Sequence, residues 1–565
     1  MKIPGTTHLP ALLERCKAVM IQRFSEAHIN QEFDLIVFGG GVNGSGIARD
    51  ASERGLKVLL LEKEDFGSGC TSESTRLIHG GLRYLEHLEF SLVRESLRER
   101  ELLLKNASHL VKELELCIPV YKGDKRGPLL IKLGMLLYDL LSFDKTLPSH
   151  KMMYMDDFQE YEPGIKSNGL VGGAIYYDAQ ISYPERLCLE NVLMAKNNGG
   201  VVLNHAEVVD VSVDLNKINS VDFVDRLNGT KHTVRGKVIV NASGPWVDSL
   251  CGLTKKDILR KIGGTKGSHI VVRKFDNGPK HALYVSAKSD GRPFFIIPWQ
   301  EQKQNCYLIG TTDIPFSGDL DSLKASKDEI DYLINETNNI LKDVKISHND
   351  ILYSICGVRP LPYVKKSDPG SITRKHFVLD HKNEGLDNFI SVGGKLTTYR
   401  SLSEEAVDVV YRKLNYNFVS SKTKQIPLLR NVGSDVEHYK NTEAKLNGPK
   451  FNIDPKVVKH LIDLYGSEYL KVLEPVKENN KLGDFLNKSS MDIAAQVGFA
   501  VSNEEAYTIS DVLLRRLTLG LCEGLGEDSI PYVADYLQKH LGYTKAEIDS
   551  QIKYYEDSVI KPRKI

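Results

Sequence analysis

The sequence Phe33-Asp-Leu-Ile-Val-Phe-Gly-Gly-Gly-Val-Asn-Gly44 gives the strongest indication of the fold. Residues 33–38 are almost continuously apolar, as in a parallel strand whose two faces are both covered. The glycines Gly39, Gly41 and Gly44 then have the spacing of a turn that sets a helix amino terminus against the phosphates of a dinucleotide. The pattern predicts that this helix runs from residue 42 to about residue 54.

A second apolar strand, residues 57–62, completes a strand–helix–strand unit. Glu62 ends that strand, where an acidic side chain can bond the ribose hydroxyls of a dinucleotide. An acid at this point argues against NADP, whose extra phosphate needs a basic partner. The unit therefore predicts a dinucleotide-binding domain, without separating FAD from NAD.

Two later apolar runs, residues 237–241 and 389–392, are typical of further parallel strands in the same sheet. The nucleotide-binding domain is then discontinuous, and we expect the β-like segments between its parts to form a substrate domain. Those segments are residues 200–224, 269–273, 294–299 and 306–311.

The chain as a whole is predicted to be α/β, with a Rossmann-type cofactor domain, an interleaved β-rich substrate or cap domain, and a C-terminal helical domain. The predicted parts are an amino-terminal extension at 1–32, with a helix over residues 9–27, the main region at 33–412, and the helical domain at 426–565.

Charge and cysteine usage exclude several classes of protein. Lys plus Arg number 74 and Asp plus Glu number 74, so the basic excess of a nucleic-acid-binding protein is missing. The eight cysteines are scattered without a C-x-x-C pair, which argues against a metal centre or a disulfide framework and favours a reducing compartment. We therefore expect no nucleic-acid partner and no metal.

The segment Thr71-Ser-Glu-Ser-Thr-Arg-Leu-Ile-His-Gly-Gly-Leu-Arg-Tyr-Leu-Glu86 resembles the corresponding stretch of FAD-dependent glycerol-3-phosphate dehydrogenases, which belong to the D-amino-acid-oxidase-like flavoproteins. The resemblance covers residues 33–412 strongly and the tail more weakly, through Tyr465-Gly-Ser467 and Asp511-Val-Leu-Leu-Arg-Arg516. Later motifs of the same family occur in the family's order: Asn241-Ala-Ser-Gly-Pro-Trp246, Lys266-Gly-Ser-His-Ile-Val-Val272, Ile309-Gly-Thr-Thr-Asp313, Gly357-Val-Arg-Pro360, Ile372-Thr-Arg374 and Gly393-Gly-Lys-Leu-Thr-Thr-Tyr399.

The resemblance implies FAD as the cofactor and sn-glycerol 3-phosphate as the substrate, which is oxidised to dihydroxyacetone phosphate. A phosphate dianion needs several basic side chains, and the substrate residues implied are Arg83, Tyr84, Arg359, Arg374 and Lys395. The cofactor residues implied are Gly39, Gly41, Asn43, Gly44, Glu62, Thr71, Ser72, Ser74, Leu77, His79, Gly80, Val208, Ala242, Gly244, Trp246, Gly394, Lys395, Leu396 and Thr397. Gly80 and Gly81 are expected to let the backbone approach a flat ring. Turn capping is the alternative role for the Ser72 and Ser74 hydroxyls.

Removing a hydride from the substrate C2 requires that the C2 hydroxyl lose its proton to a general base. His79 is the first candidate for this base, because it lies in the segment that contacts the flavin, and His269 is the second. A purely structural role is the alternative for each of them. Arg359 and Lys395 are expected to hold the developing alkoxide, and Lys395 also to stabilise the reduced flavin.

The acceptor is predicted from a loop length. Oxidase-like members of the family carry a long insertion between the G-x-R-P motif and the next arginine motif, whereas here only residues 361–372 intervene. This favours a quinone over O2, and hence peripheral attachment at the cytoplasmic face of the inner membrane. The alternatives are the mitochondrial inner membrane, a soluble cytoplasmic oxidase that makes H2O2, and a flavin-binding scaffold without turnover. A homodimer is compatible with the sequence.

Residues 129–143 are apolar but too short to span a bilayer. Basic residues surround them, as suits a helix lying in the membrane interface; these are Lys122, Lys125, Arg126, Lys132 and Lys145. An ordinary buried helix is the alternative.

Overall fold

The structure, a computed structural model, describes residues 23–24, 26–299, 305–365 and 372–565. The predicted amino-terminal helix at 9–27 lies almost wholly outside the described residues, and so does half of the loop at 361–372.

The strands of the described residues form two large sheets. They are β1 (Glu32–Phe38), β2 (Val58–Leu61), β3 (Leu77–Ile78), β4 (Val111–Tyr121), β5 (Lys151–Tyr154), β6 (Leu170–Ile181), β7 (Val201–Leu203), β8 (Ala206–Asp214), β9 (Lys217–Asp225), β10 (Thr230–Asn241), β11 (Thr265–Arg273), β12 (Ala282–Ser286), β13 (Pro293–Trp299), β14 (Cys306–Gly310), β15 (Ile314–Pro315), β16 (Ile351–Arg359), β17 (Phe377–Asp380) and β18 (Phe389–Gly393).

The first sheet has the order β17-β18-β10-β1-β2-β7. Its strands β18, β10, β1, β2 and β7 are parallel, and β17 is an antiparallel edge. Every β1 residue after Glu32 is buried, as the unbroken apolar run requires for a strand covered on both faces. The parallel strands predicted at 237–241 and 389–392 are confirmed as the end of β10 and as β18.

The second sheet has the order β15-β11-β14-β13-β12-β4-β6-β3, with β16 on β11 and β5 on β6. It contains the predicted segments 269–273, 294–299 and 306–311. The expectation that residues 200–224 join them is wrong. Strand β7 extends the first sheet by pairing with β2, and the hairpin β8–β9 pairs with the first half of β10. Alternating burial predicts a strand but not the sheet it joins.

The helices of the described residues cover both sheets and build the tail. They are α1 (Glu26–Ile29), α2 (Val42–Glu53), α3 (Phe90–Asn106), α4 (Pro128–Leu141), α5 (Met155–Tyr161), α6 (Pro184–Asn197), α7 (Val247–Gly252), α8 (Lys327–Ile340), α9 (Tyr399–Leu414), α10 (Val436–Phe451), α11 (Pro455–Tyr465), α12 (Tyr469–Leu473), α13 (Ala495–Asn503), α14 (Ile509–Asp511), α15 (Ile530–Leu541), α16 (Lys545–Tyr555) and α17 (Lys561–Arg563). Helices α2, α6 and α9 pack on the first sheet, and α10–α16 share a core with the second.

The helical tail is tied to the cofactor domain through Asp65, a fully buried residue in the loop after β2. Its carboxylate accepts hydrogen bonds from Arg515 Nε at 2.6 Å and from Arg516 Nη1 and Nη2 at 2.6 and 2.9 Å. Beside Arg515, the carboxylate of Asp511 contacts His205 Nε2 at 2.9 Å. A buried charge needs such partners because removal from water is costly. The tail motif at 511–516 is therefore a docking motif between domains.

Helix α4 is neither wholly buried nor long enough to cross a bilayer. Ile131, Met135 and Tyr138 face the core. The alternative of an ordinary buried helix is nevertheless wrong, because the opposite face of α4 is exposed. That face exposes Leu129, Leu130, Leu133, Leu136 and Leu140, and the next turn exposes Phe143, by 51–81%. Among the described residues, no helix has the length and hydropathy of a membrane span.

Gly44 offers a test of the turn on which α2 rests. A Cβ at this position would lie 1.8 Å from the Gly39 carbonyl oxygen, so Gly44→Ala must push the helix away from the strand. We expect a loss of about 1–3 kcal/mol in the free energy of unfolding, as for other overpacked sites, measured by urea denaturation. Gly252→Ala is the matched control, because nothing lies within 4 Å of the added Cβ there. Equal unfolding midpoints for the two variants would contradict this account.

Candidate active site

A cavity of about 990 Å³ opens along the carboxyl ends of β1, β2, β10 and β18. Its size is at the upper end of small-molecule sites, about 300–1,000 Å³. Strand β1 is the switch point between β2 and β10, which is where open α/β sheets bind their ligands. The sheet topology therefore places the cavity where a dinucleotide is expected.

Most of the residues predicted for the site meet in this one cavity. Those that line it are Gly39, Gly41, Asn43, Glu62, Thr71, Ser72, Ser74, Leu77, His79, Tyr84, Val208, Ala242, Gly244, Trp246, His269, Arg359, Arg374, Gly394, Lys395, Leu396 and Thr397. Three predicted residues, Gly44, Gly80 and Arg83, do not line it.

The first glycine turn forms a cradle at the carboxyl end of β1. Gly39 has a φ of +94°, a conformation that favours glycine. A Cβ added at Gly41 would meet only Thr71 Oγ1, at 3.6 Å, so the backbone is open towards the cavity. Beside it, Glu62 accepts hydrogen bonds from the backbone N–H groups of Gly40 at 2.6 Å and Glu64 at 2.8 Å. The residues fit the pyrophosphate and ribose of a dinucleotide.

The hydroxyls of the loop at 71–75 act mainly as turn caps. Ser72 Oγ donates to the Gly69 carbonyl at 3.0 Å, and Ser74 Oγ donates to the Thr71 carbonyl at 3.1 Å. Thr71 Oγ1 accepts from the Val42 N–H at 3.1 Å, which ties the loop to the start of α2. Ser72 and Ser74 therefore cap turns, as in the alternative role predicted for them. Both residues also line the cavity.

Neighbouring side chains pack tightly against both glycines that follow His79. A Cβ at Gly80 would lie 2.4 Å from the Tyr138 hydroxyl, and the Gly80 N–H donates to that hydroxyl at 3.0 Å. Gly80 therefore packs against α4 and does not line the cavity, and its approach to the flavin stays a prediction. Gly81 has a φ of +79° and lies under the Tyr84 ring, so its turn places Tyr84 in the cavity wall.

Two arginines meet at one carboxylate. Arg359 Nη1 and Arg374 Nη2 each donate to Asp313 at 3.1 Å, one to each carboxylate oxygen. Arg359 Nη2 also donates to Thr311 Oγ1 at 2.8 Å. A Cβ at Gly267 would lie 2.2 Å from this guanidinium, so the glycine of the K-G-S-H motif makes room for it. Two cations sharing one anion retain a net positive charge for an anionic ligand.

Lys395 adds a third cation to the cavity wall. Its Nζ donates to Ser96 Oγ at 2.7 Å and lies 4.6 Å from the centre of the Tyr84 ring. Burial lowers the pKa of Lys395 to about 7. The adjacent residue in the motif, Gly394, is held by Asn43, whose Nδ2 donates to the Gly394 carbonyl at 3.3 Å. This contact joins the second glycine motif to the first.

Both candidate bases are neutral imidazoles. Burial, with Lys395 nearby, lowers the pKa of His79 to about 4, and burial with Arg359 nearby lowers the pKa of His269 to about 3. His269 Nε2 lies 2.8 Å from Thr75 Oγ1, and its Nδ1 is buried. No hydrogen bond to the His79 ring occurs within the described part of the chain. His79 therefore has the freer ring, which is half-buried at the cavity wall.

The predictions missed the contribution of the helical tail to the cavity. Sequence offered one signal, the motif at 511–516, but its partners lie far away in the chain. The tail residues that line the cavity are Ser510, Leu514, Arg515, Leu521, Tyr554, Ser558, Val559 and Arg563.

One group of possible metal ligands lies outside the cavity lining. Glu115, Cys117 and His281 place their donor atoms within 4.8 Å of one another. His281 Nδ1 lies 3.0 Å from the buried carboxylate of Glu162, and Tyr161 stacks on its ring at 4.7 Å. These contacts account for the group as a packed ionic cluster.

Comparison with known proteins covers almost the whole chain. Residues 34–400 match the family described as FAD dependent oxidoreductase, and residues 421–548 match the C-terminal domain of alpha-glycerophosphate oxidase. The chain is similar to a glycerol-3-phosphate dehydrogenase of Synechocystis, 46% identical over 94% of this chain and 96% of that one. It is also similar to the aerobic glycerol-3-phosphate dehydrogenase of Staphylococcus saprophyticus, 33% identical over 93% of this chain and 94% of that one.

Among solved structures, the fold matches a glycerol-3-phosphate dehydrogenase from Bacillus halodurans complexed with FAD. The TM-score is 0.80 at 28% identity, and the match covers 97% of this chain and 98% of that one.

Proposed function

The chain belongs to the family of FAD-dependent oxidoreductases that contains the glycerol-3-phosphate dehydrogenases, and we propose that it oxidises sn-glycerol 3-phosphate to dihydroxyacetone phosphate and passes the electrons to a membrane quinone. The main support for this substrate is a group of three basic side chains in the wall of the FAD cavity, Arg359, Arg374 and Lys395. Because one carboxylate, Asp313, is shared by both arginines, the group keeps the net positive charge that a phosphate dianion needs.

Bound FAD supplies the hydride acceptor. The protein must hold the substrate and take the proton from its C2 hydroxyl. We assign proton removal to His79, since its imidazole is neutral at pH 7 and faces the cavity. Lys395 and Arg359 are placed to stabilise the developing alkoxide, because a fixed cation in a half-buried site is worth more than one in water. His269, whose nitrogens are enclosed, is the alternative base.

Two observations support a quinone rather than O2 as the acceptor. One is the short loop at 361–372. The other is the exposed leucine face of α4, a larger run of apolar side chains than the surface of a soluble monomer normally leaves uncovered. The inner face of α4 packs on the segment that carries His79 and Tyr84, because Tyr138 contacts Gly80 and Gly134 lies next to Leu82. An acceptor dissolved in a bilayer under α4 would therefore be close to the cavity wall.

The charges around α4 suit a peripheral position on an anionic membrane. Lys122, Lys125 and Lys132 are exposed, whereas Arg126 and Lys145 are paired with Glu86 and Asp139 and offer less to lipid. Three exposed lysines around an apolar face fit interfacial binding. Attachment at the cytoplasmic face of the inner membrane is part of this proposal, and a homodimer stays a prediction of the sequence.

The experiment that tests the reaction is anaerobic titration of the purified holoenzyme with sn-glycerol 3-phosphate, followed by visible absorbance of the flavin. Bleaching in proportion to added substrate is expected. A spectrum that stays oxidised would remove this substrate. Admitting O2 or a short-chain ubiquinone to the reduced enzyme then identifies the acceptor, and reoxidation by O2 at the faster rate, with H2O2 formed, would favour the oxidase.

His79→Gln tests the base. We expect the variant to keep its flavin spectrum while the rate of flavin reduction falls by about 100- to 10,000-fold, the usual cost of losing a positioned general base. His269→Gln is the comparison variant and should lose less than about tenfold. Stopped-flow reduction measures both. The opposite ranking would move the role to His269.

The leucine face of α4 predicts binding to vesicles. Leu129→Ser, Leu133→Ser and Leu136→Ser together should weaken binding to phosphatidylglycerol vesicles by more than about 100-fold, since each fully buried leucine is worth about 1.5–3 kcal/mol. Cosedimentation measures the partition, and flavin reduction by substrate should be unchanged. The matched control replaces Leu259 and Leu446, which are exposed by 74% and 64% elsewhere. Equal binding by both variants would rule out α4 as the contact.

A further inference from the structure

The last residues of the chain lie against the cofactor cavity. Ser558, Val559 and Arg563 contribute to its lining, although they are more than 500 residues from the glycine turn at 39–44. The terminal helix α17 packs on β16, where Ser354 Oγ donates to the Arg563 carbonyl at 3.4 Å. The proposed reaction assigns no role to this segment.

Arg563 connects the segment to the loop at 71–75. Its Nη2 donates to Glu73 Oε1 at 2.6 Å, and the two side chains are only 13% and 18% exposed. A charge-assisted hydrogen bond this well enclosed is stronger than a surface ion pair. Within the described residues, Nη1 of the same guanidinium is buried without a hydrogen-bond partner. The arginine thus points into a closed space rather than into solvent.

Glu73 also lies close to strand β16. A Cβ added at Gly357 would lie 3.0 Å from the Glu73 Cβ, so the strand lets this part of the loop approach closely. Two residues further on, β16 ends at Arg359. Glu73 therefore sits between the strand that carries a substrate cation and the carboxyl-terminal segment, while its neighbours Ser72 and Ser74 line the cavity.

We propose that Arg563 is a positioning residue for the cofactor, which acts through Glu73 to hold the loop at 71–75 against the cavity. Since FAD and the docked carboxyl-terminal segment stabilise the same arrangement of the loop, each must strengthen the binding of the other by the same factor. This coupling requires the cofactor but not the substrate proposed above.

The test measures the affinity of the apoprotein for FAD by quenching of flavin fluorescence. Arg563→Met and Glu73→Gln should each weaken FAD binding by about tenfold, as for the loss of one hydrogen bond between charged groups. The double variant should be no weaker than either single one, because both remove the same contact. Arg563→Lys should recover part of the affinity. The matched control is Lys564→Met, whose ion pair with Glu527 at 2.9 Å is half exposed.

A second measurement keeps the test decisive if Arg563→Met folds poorly. Hydrogen exchange of the peptide at 556–565 in the wild-type protein should slow when FAD is added, and this protection should be absent from Glu73→Gln. Unchanged FAD affinity in both single variants, or exchange of 556–565 that does not respond to FAD, would overturn the proposal. Neither readout depends on turnover, so failure of the proposed reaction would leave them unaffected.

Discussion

The buried charge of Asp65 ties the helical tail to the cofactor domain. This carboxylate is fully buried in the loop after β2, and a buried charge without partners is destabilising by several kcal/mol. Its partners, Arg515 and Arg516, come from the tail some 450 residues later. The charge of the loop after Glu62 is therefore balanced only when the tail is docked, and the docked tail forms part of the cavity wall.

Within the cavity, burial lowers the pKa values of the two histidines and of Lys395. It keeps His79 and His269 neutral, as proton acceptance requires. Arg359 and Arg374 remain cationic and are only half neutralised by Asp313. Lys395 lies between these extremes, with a pKa lowered to about 7. The pKa shifts of the two histidines and of Lys395 come mainly from burial, so they arise only when the fold brings these distant motifs together.

The sequence predicted those features of the fold that depend on short, local residue patterns. The unit from Phe33 to Glu62, the end of β10 and strand β18 were predicted because strand runs and glycine spacing are encoded within a few residues. The motif around Lys395 came from the family resemblance. The family resemblance and the α/β fold with a helical tail are confirmed. The sheet membership of residues 200–224 was mispredicted, because alternation is the same in either sheet. The packing role of Gly80 and the tail residues in the cavity wall depend on contacts across hundreds of residues, and no sequence window contains them.

The residues that line the cavity run from Phe38 to Arg563 in the chain, so they are synthesised at widely separated times. Strands β1 and β2 leave the ribosome early and can pair, whereas β18 of the same sheet follows only after residue 388, and Arg515 and Arg516 follow later still. A nascent chain thus carries an unneutralised Asp65 until residues 515 and 516 have been released. Residues that line the cavity are therefore still being added to the growing chain long after β18 has been made.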